Sequence, residues 1–261
     1  MKFAFAPGSR RRRLAMIAAG LWFFACLLYS APAQLFALLA QSGGVLQLGH
    51  VEGSFWQGRA DEAYIVLPDQ RTVALGALQW RLQPLSLLWL HPRAHIAARY
   101  GEQFLDADVR IAPTGTVLLR NVRAGVPLAA FNDWLLLPAQ GDLAIDLAEL
   151  ELSRSELRRV QGHLSWLGAS WQWNMNWLTL GDYQCRLRMS AAAQLQCALQ
   201  GGSALGLKGE VLVDLKQRQY ALQAQVNATD SLPQDFRVGL SLLLGGRDSH
   251  GPWPLSRKGH W

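Results

Sequence analysis

His91 and His95 stand four residues apart, and on one helix face that spacing would seat a metal ion. Pro92 lies between them and disfavours a continuous helix, so both read as surface or loop histidines. His250 and His260 fall in a Gly/Pro-broken tail, where metal binding would be adventitious. Asp142, Asp146, Glu149, Glu151 and Glu156 form an acidic stretch, and paired carboxylates can do general acid–base work. Leucines interleave with them, which makes the stretch the wet face of a strand pair instead. The chain contains no Gly-x-Ser-x-Gly elbow. Nor does it contain a Gly-x-x-x-x-Gly-Lys-Ser/Thr phosphate loop, a His-Glu-x-x-His zinc helix or a Gly-x-Gly-x-x-Gly turn. The expectation is a protein that is not an enzyme and holds no metal or cofactor.

Sulfur chemistry is the exception. Of three cysteines, Cys26 sits in an apolar N-terminal run and reads as a small apolar residue. Cys185 and Cys197 occur where Tyr183, Cys185, Leu187 and Met189, then Leu195, Cys197 and Leu199, alternate with polar residues. A hairpin centred on Ala191 would place Leu187 opposite Leu195 and Cys185 opposite Cys197. A cross-strand pair has a Cα spacing suited to a disulfide, which an oxidising compartment favours. The alternative is two buried free thiols.

The elements that must carry these residues read as strands. Period-two alternation recurs at Leu105–Ile111, at Leu143–Leu147, at Leu205–Leu215 and, after a turn at 216–219, at Tyr220–Val226. Trp171, Trp173, Met175 and Trp177 alternate with Gln172, Asn174 and Asn176, as one strand with an apolar and an amide face. That stripe suits core packing, or the binding of a lipid or peptide by an open face. Helical pieces are expected at Pro127–Leu137, at Leu85–Leu90 (helical or buried) and at Leu232–Leu244. Strands followed by a Leu/Pro-rich piece near 51–137 and again near 141–244 suggest a loose duplication. The ending Arg257-Lys-Gly-His-Trp261 shows no clear final strand.

Charge and hydropathy place the chain. The net charge is +6, but five of the 25 basic residues are Lys2 and Arg10, Arg11, Arg12 and Arg13; the remaining 20 face 19 acids. A nearly neutral body lacks the basic field that nucleic acid requires. Behind Arg13 runs the uncharged Leu14–Tyr29, which with Ser30–Gln34 is long enough to cross the roughly 30 Å hydrocarbon core, and Leu35–Leu39 prolongs it. The arginines hold its N-terminal end in the cytoplasm. The division expected is a basic cytoplasmic tail at 1–13, a transmembrane helix and juxtamembrane segment at 14–39, and an exported body at 40–261. Ala31-Pro32-Ala33 also has the form of a signal-peptide cleavage site, with the same compartment for the body. The fold class expected is mainly β: one N-terminal transmembrane helix and a curved antiparallel sheet with a few short helices.

The run Val51-Glu-Gly53-Ser54-Phe55-Trp56-Gln-Gly58-Arg59-Ala60, with Leu78-Gln-Trp-Arg-Leu-Gln-Pro-Leu-Ser-Leu-Leu88, resembles the type II secretion system protein N family. Gly125-Val-Pro-Leu-Ala-Ala-Phe131, Gly141-Asp-Leu-Ala-Ile-Asp-Leu147 and Leu232–Gly245 carry the resemblance towards the C-terminus. It implies a Gram-negative inner-membrane protein with a periplasmic β-rich domain. Such a protein would assist, by protein–protein contacts, the apparatus that moves folded proteins across the outer membrane. Its implied partners are other inner-membrane subunits and the outer-membrane secretin, with membrane lipid around the N-terminal helix. Gly53 and Gly58 read as backbone requirements; Ser54, Phe55, Trp56 and Arg59 read as structure or partner contact. A second reading is a module similar to AsmA-like envelope proteins, binding lipid in an apolar β-groove.

Overall fold

A computed structural model describes residues 16, 19–20, 22, 30–66, 71–131, 138–153, 156–190, 193–229, 232–244 and 252–260. Its frame is one antiparallel sheet in which every strand pairs with the strand before and after it in sequence. The first strands are β1 (Leu46–Gly53), β2 (Gln57–Val66) and β3 (Thr72–Leu82). Next come β4 (Arg93–Tyr100), β5 (Gln103–Ile111), β6 (Thr116–Pro127) and β7 (Ala139–Ser153). The sheet continues through β8 (Glu156–Trp173), β9 (Asn176–Met189) and β10 (Gln194–Gly201) to β11 (Leu205–Asp214), β12 (Gln219–Ala228) and β13 (Trp253–His260). β1 and β13 are its edges, so the sheet is open. Among the described residues, helices α1 (Ala33–Gln41), α2 (Pro84–Leu88) and α3 (Gln234–Leu244) punctuate it, with a 3-10 turn at Leu128–Phe131.

The alternation read from sequence becomes two faces of opposite chemistry, because side chains paired across strands share a face. On one face a row runs Val51–Ala60–Leu78–Ala98–Leu105–Ala124–Ile145–Leu164–Cys185–Leu199–Gly209–Ala224–Leu255, one residue per strand. Not one of the thirteen is polar. On the other face the row Glu52–Arg59–Gln79–Ala97–Asp106–Arg123–Asp146–His163–Arg186–Ala198–Glu210–Gln223–Ser256 has only two residues, both alanine, without a polar side chain. At about 4.8 Å per strand spacing each row is about 58 Å long. Four ladders carry register shifts, which bend and coil the strands.

Two buried clusters lie on the apolar face. One gathers Ala33 of α1 with Ala60, Ala63, Leu78, Trp80 and Ala98. The other joins Ala107, Val122, Leu147 and Val160.

The structure corrects several expectations. Met189 pairs with Leu195, Leu187 with Cys197 and Cys185 with Leu199, so the hairpin is centred one residue beyond Ala191 and the cysteines are diagonal neighbours. The Ser190 N–H donates to Gln194 O and the Ala193 N–H to Ser190 O, with Ala193 at φ 59, and this turn sets the register. The tryptophan stripe is not one strand. Asn174 and Met175, at φ 46 and 64, form a two-residue hairpin turn between β8 and β9. Trp177 pairs with Gln172 and so lies on the face opposite Trp171 and Trp173. Pro127 ends a strand and is followed by a 3-10 turn; 132–137 lie outside the described residues. The tail, read as irregular, forms β13 by pairing with β12, where partner hydrogen bonds outweigh the poor alternation of Ser256-Arg-Lys-Gly259. One sheet runs through both 51–137 and 141–244.

Leu35–Leu39 does not continue the preceding apolar run as one helix. Ser30 to Pro32 interrupt it, and α1 starts after Pro32, which bridges Ser54. Among the described residues no helix is long and apolar enough to cross a membrane; of Leu14–Tyr29 only Met16, Ala19, Gly20 and Trp22 are described.

Candidate functional site

The β1–β2 turn, which holds the Gly53–Arg59 run, is a clamp for α1. Gly53 has φ +98, and a Cβ there would lie 2.7 Å from Gln57 O. A Cβ on Gly58 would run into the Trp80 ring and lie 2.7 Å from Glu52 O. Both glycines are therefore required by the backbone. Ser54 closes the turn: its N–H donates to Gln57 O at 2.9 Å and its Oγ accepts from Gln57 N–H at 3.1 Å.

The middle of the run grips both neighbours. The Phe55 N–H donates to Ala31 O at 2.8 Å, just before α1. The Trp80 Nε1–H donates to Phe55 O at 3.1 Å, and the Leu82 N–H donates to Trp56 O at 2.6 Å. Phe36 of α1 stacks on Trp80 at 4.3 Å and 16°, and meets Phe55 edge-on at 6.3 Å. Phe55 and Trp56 pack at right angles, 5.3 Å apart. Trp80 is 2% exposed. Thus Gly53, Ser54, Phe55, Trp56 and Gly58 converge on the seat of the N-terminal helix, whereas Arg59 turns to the polar face. There it pairs with Glu52 at 3.3 Å and Asp61 at 3.5 Å, exposed contacts that contribute little stability. Beside it opens a depression of about 710 Å³, whose lining includes Glu52, Arg59, Gln79, Arg81, His95 and Ala97.

Helix α1 has two apolar faces. Ala33, Phe36 and Ala37 turn to the sheet, while Leu35, Leu38 and Leu39 are 47%, 65% and 65% exposed. Spacings of three and four residues separate the two sets cleanly. Phe36 and Trp80 were not singled out from sequence; the signal available was an aromatic in an otherwise small-and-Leu helix and the tryptophan of Leu78–Leu82.

Of the residues first considered for chemistry, His95 and the paired acids of β7 are dispersed on the polar face, and His250 lies outside the described residues. His95 sits between Asp106 (3.4 Å) and Asp108 (3.1 Å). Hydrogen bonds from Asn121 and then His95 hold the Asp108 carboxyl below its usual range. His91 lies outside this group, its Nδ1 against Trp89 O. Glu149 faces Arg159 at 3.5 Å and Arg120 at 4.0 Å, and Glu151 faces Arg159 at 4.0 Å. The acidic stretch is thus one rail of a cross-strand charge ladder. Among the described residues no three His, Cys, Asp or Glu side chains are placed to hold a metal ion.

On the apolar face Cys185 and Cys197 form a disulfide, with Cα atoms 5.5 Å apart. Trp173 docks α3: its Nε1–H donates to Asp235 at 3.2 Å, and its ring meets Phe236 edge-on at 5.0 Å. Asn174 also donates to Asp235, whose pKa these bonds lower. Burial pushes the Tyr183 phenol up to about 12. Arg10, Arg11, Arg12 and Arg13 lie outside the described residues.

A family model described as "Type II secretion system (T2SS), protein N" matches residues 45–256, from the first strand into the last. No curated protein and no solved structure gives a significant match.

Proposed function

We propose, because the chain belongs to the type II secretion system protein N family and is thereby a component of that machine, that it serves as an inner-membrane-anchored assembly subunit. It acts by protein–protein contact rather than by catalysis. The observation that carries this reading is the family match over nearly the whole β body, combined with the clamp on α1. An uncharged run precedes α1, and the helix offers three exposed leucines on the side away from the sheet. A helix apolar on both sides needs two apolar neighbours. The sheet is one, and the periplasmic leaflet of the inner membrane is the other. The four arginines at 10–13 then stay cytoplasmic and the body is periplasmic, where the disulfide is stable.

Clamped in this way, the sheet is held against α1 at the membrane surface. Its polar face, with the depression beside Arg59, is presented to other inner-membrane subunits and to the outer-membrane secretin. Cross-linking of intact cells followed by purification from membranes tests this. Other secretion subunits should co-purify, and Phe36→Ala, which loosens the clamp, should reduce their yield. Recovery of the chain alone, or of a body facing the cytoplasm, would refute the proposal.

A further inference from the structure

The apolar face is a larger feature than the clamp requires. Its thirteen-residue row has a length of about 58 Å, against roughly 15 Å for the hydrocarbon of one leaflet. α1 occupies one end, over β2 and β3. Beyond it, Ile145, Leu164, Leu187, Leu195, Val211 and Leu222 are only half-buried. Small residues (Ala98, Ala124, Gly209 and Ala224) stand among the larger apolar side chains of the row and bring its surface close to the backbone there. We infer that this face is a groove for the acyl chains of membrane phospholipid, entered at its α1 end.

Two observations select that occupant. The first is continuity. The uncharged run Leu14–Tyr29 ends directly before α1, and α1 rests on the same face as the row. A chain leaving the bilayer beside α1 would therefore meet apolar side chains without crossing a polar surface. The second observation is charge. The neighbouring row on this face runs from Arg257 through Leu222, Val211, Cys197 and Leu187. A second copy stacked face to face would either bury the Arg257 guanidinium against apolar side chains or set two guanidiniums together, both strongly unfavourable. A flexible chain with an anionic head avoids both.

The inference rests on the membrane topology proposed above, and the experiment separates the two. A photoreactive phenylalanine analogue is placed in the full chain at Leu164 or Leu222, and as controls at His163 or Gln223 on the polar face. Cells are labelled with radioactive phosphate and irradiated, and the protein is purified under denaturing conditions. Phospholipase-sensitive label at the two apolar positions, at least fivefold above the controls, is the expected result. Equal label on both faces, no label, or adducts the size of a second copy or of another protein would overturn the groove. The Cys185–Cys197 state is read on the same samples. An oxidised pair without label counts against the groove alone, and a reduced pair counts against the topology and the groove together.

Discussion

The sharpest constraints sit at single residues. Gly58 has no room for a methyl group, since both Trp80 and the Glu52 carbonyl occupy the space. Gly58→Ala should cost roughly 2–3 kcal/mol in denaturant unfolding, as an overpacked site does. Gly43→Ala, with nothing within 4 Å, should stay within about 0.5 kcal/mol. Asp108 makes a different test. Its carboxyl is held below the ordinary value of 3.8 by Asn121 and His95. A depressed acid stabilises the fold above its unfolded value, and that contribution disappears as pH falls past it. The melting temperature of Asp108→Asn should lie below that of the parent at neutral pH, and the difference should shrink as pH falls below the ordinary value of 3.8 and through the depressed folded-state pKa. A difference that widens on acidification would contradict the assignment.

Elements add their own constraints. The disulfide joins β9 to β10 across a separation of 12 residues. In the chain-entropy account such a loop contributes about 3 kcal/mol, so Cys185→Ser/Cys197→Ser or reductant should lower stability by about that amount in denaturant titrations. Helix α1 depends on a few aromatic contacts. Phe36→Ala removes the Trp80 stack, and about 1–3 kcal/mol of local stability with it. Hydrogen exchange should accelerate in α1 while β7–β9 are unchanged. Loss of protection throughout the sheet would mean that α1 is integral to the fold rather than docked on it.

The whole molecule behaves as a ribbon. Each strand pairs only with its sequence neighbours, and the longest strands, β7 and β8 with 15 and 18 residues, lie at the middle. Stability in such an array is a sum of nearest-neighbour terms, as in repeat proteins. Protection against hydrogen exchange should therefore decline from β7–β8 towards β1 and β13, and denaturant unfolding should be broad. A single sharp transition with uniform protection would show long-range cooperativity that this topology does not supply.

Alternation was legible in the amino-acid order because one strand alone decides it: Leu143, Ile145 and Leu147 must share a face whatever they pair with. The short helices at 84–88 and 234–244, the Cys185–Cys197 bridge and the resemblance of the Gly53–Arg59 run were readable for the same reason, being local. The tertiary structure decided what depends on partners. The register of the cysteine hairpin follows from turn geometry at 190–194, and the division of the tryptophans between two faces follows from a turn at Asn174-Met175 that has the polarity pattern of a strand. The last strand exists because β12 offers it hydrogen bonds, and Phe36 matters because Trp80, 44 positions away, lies beneath it. Above all, the separate strands line up into one apolar and one polar surface only when each hydrogen-bonds to the next. That alignment is a property of pairing between strands, which no single segment encodes.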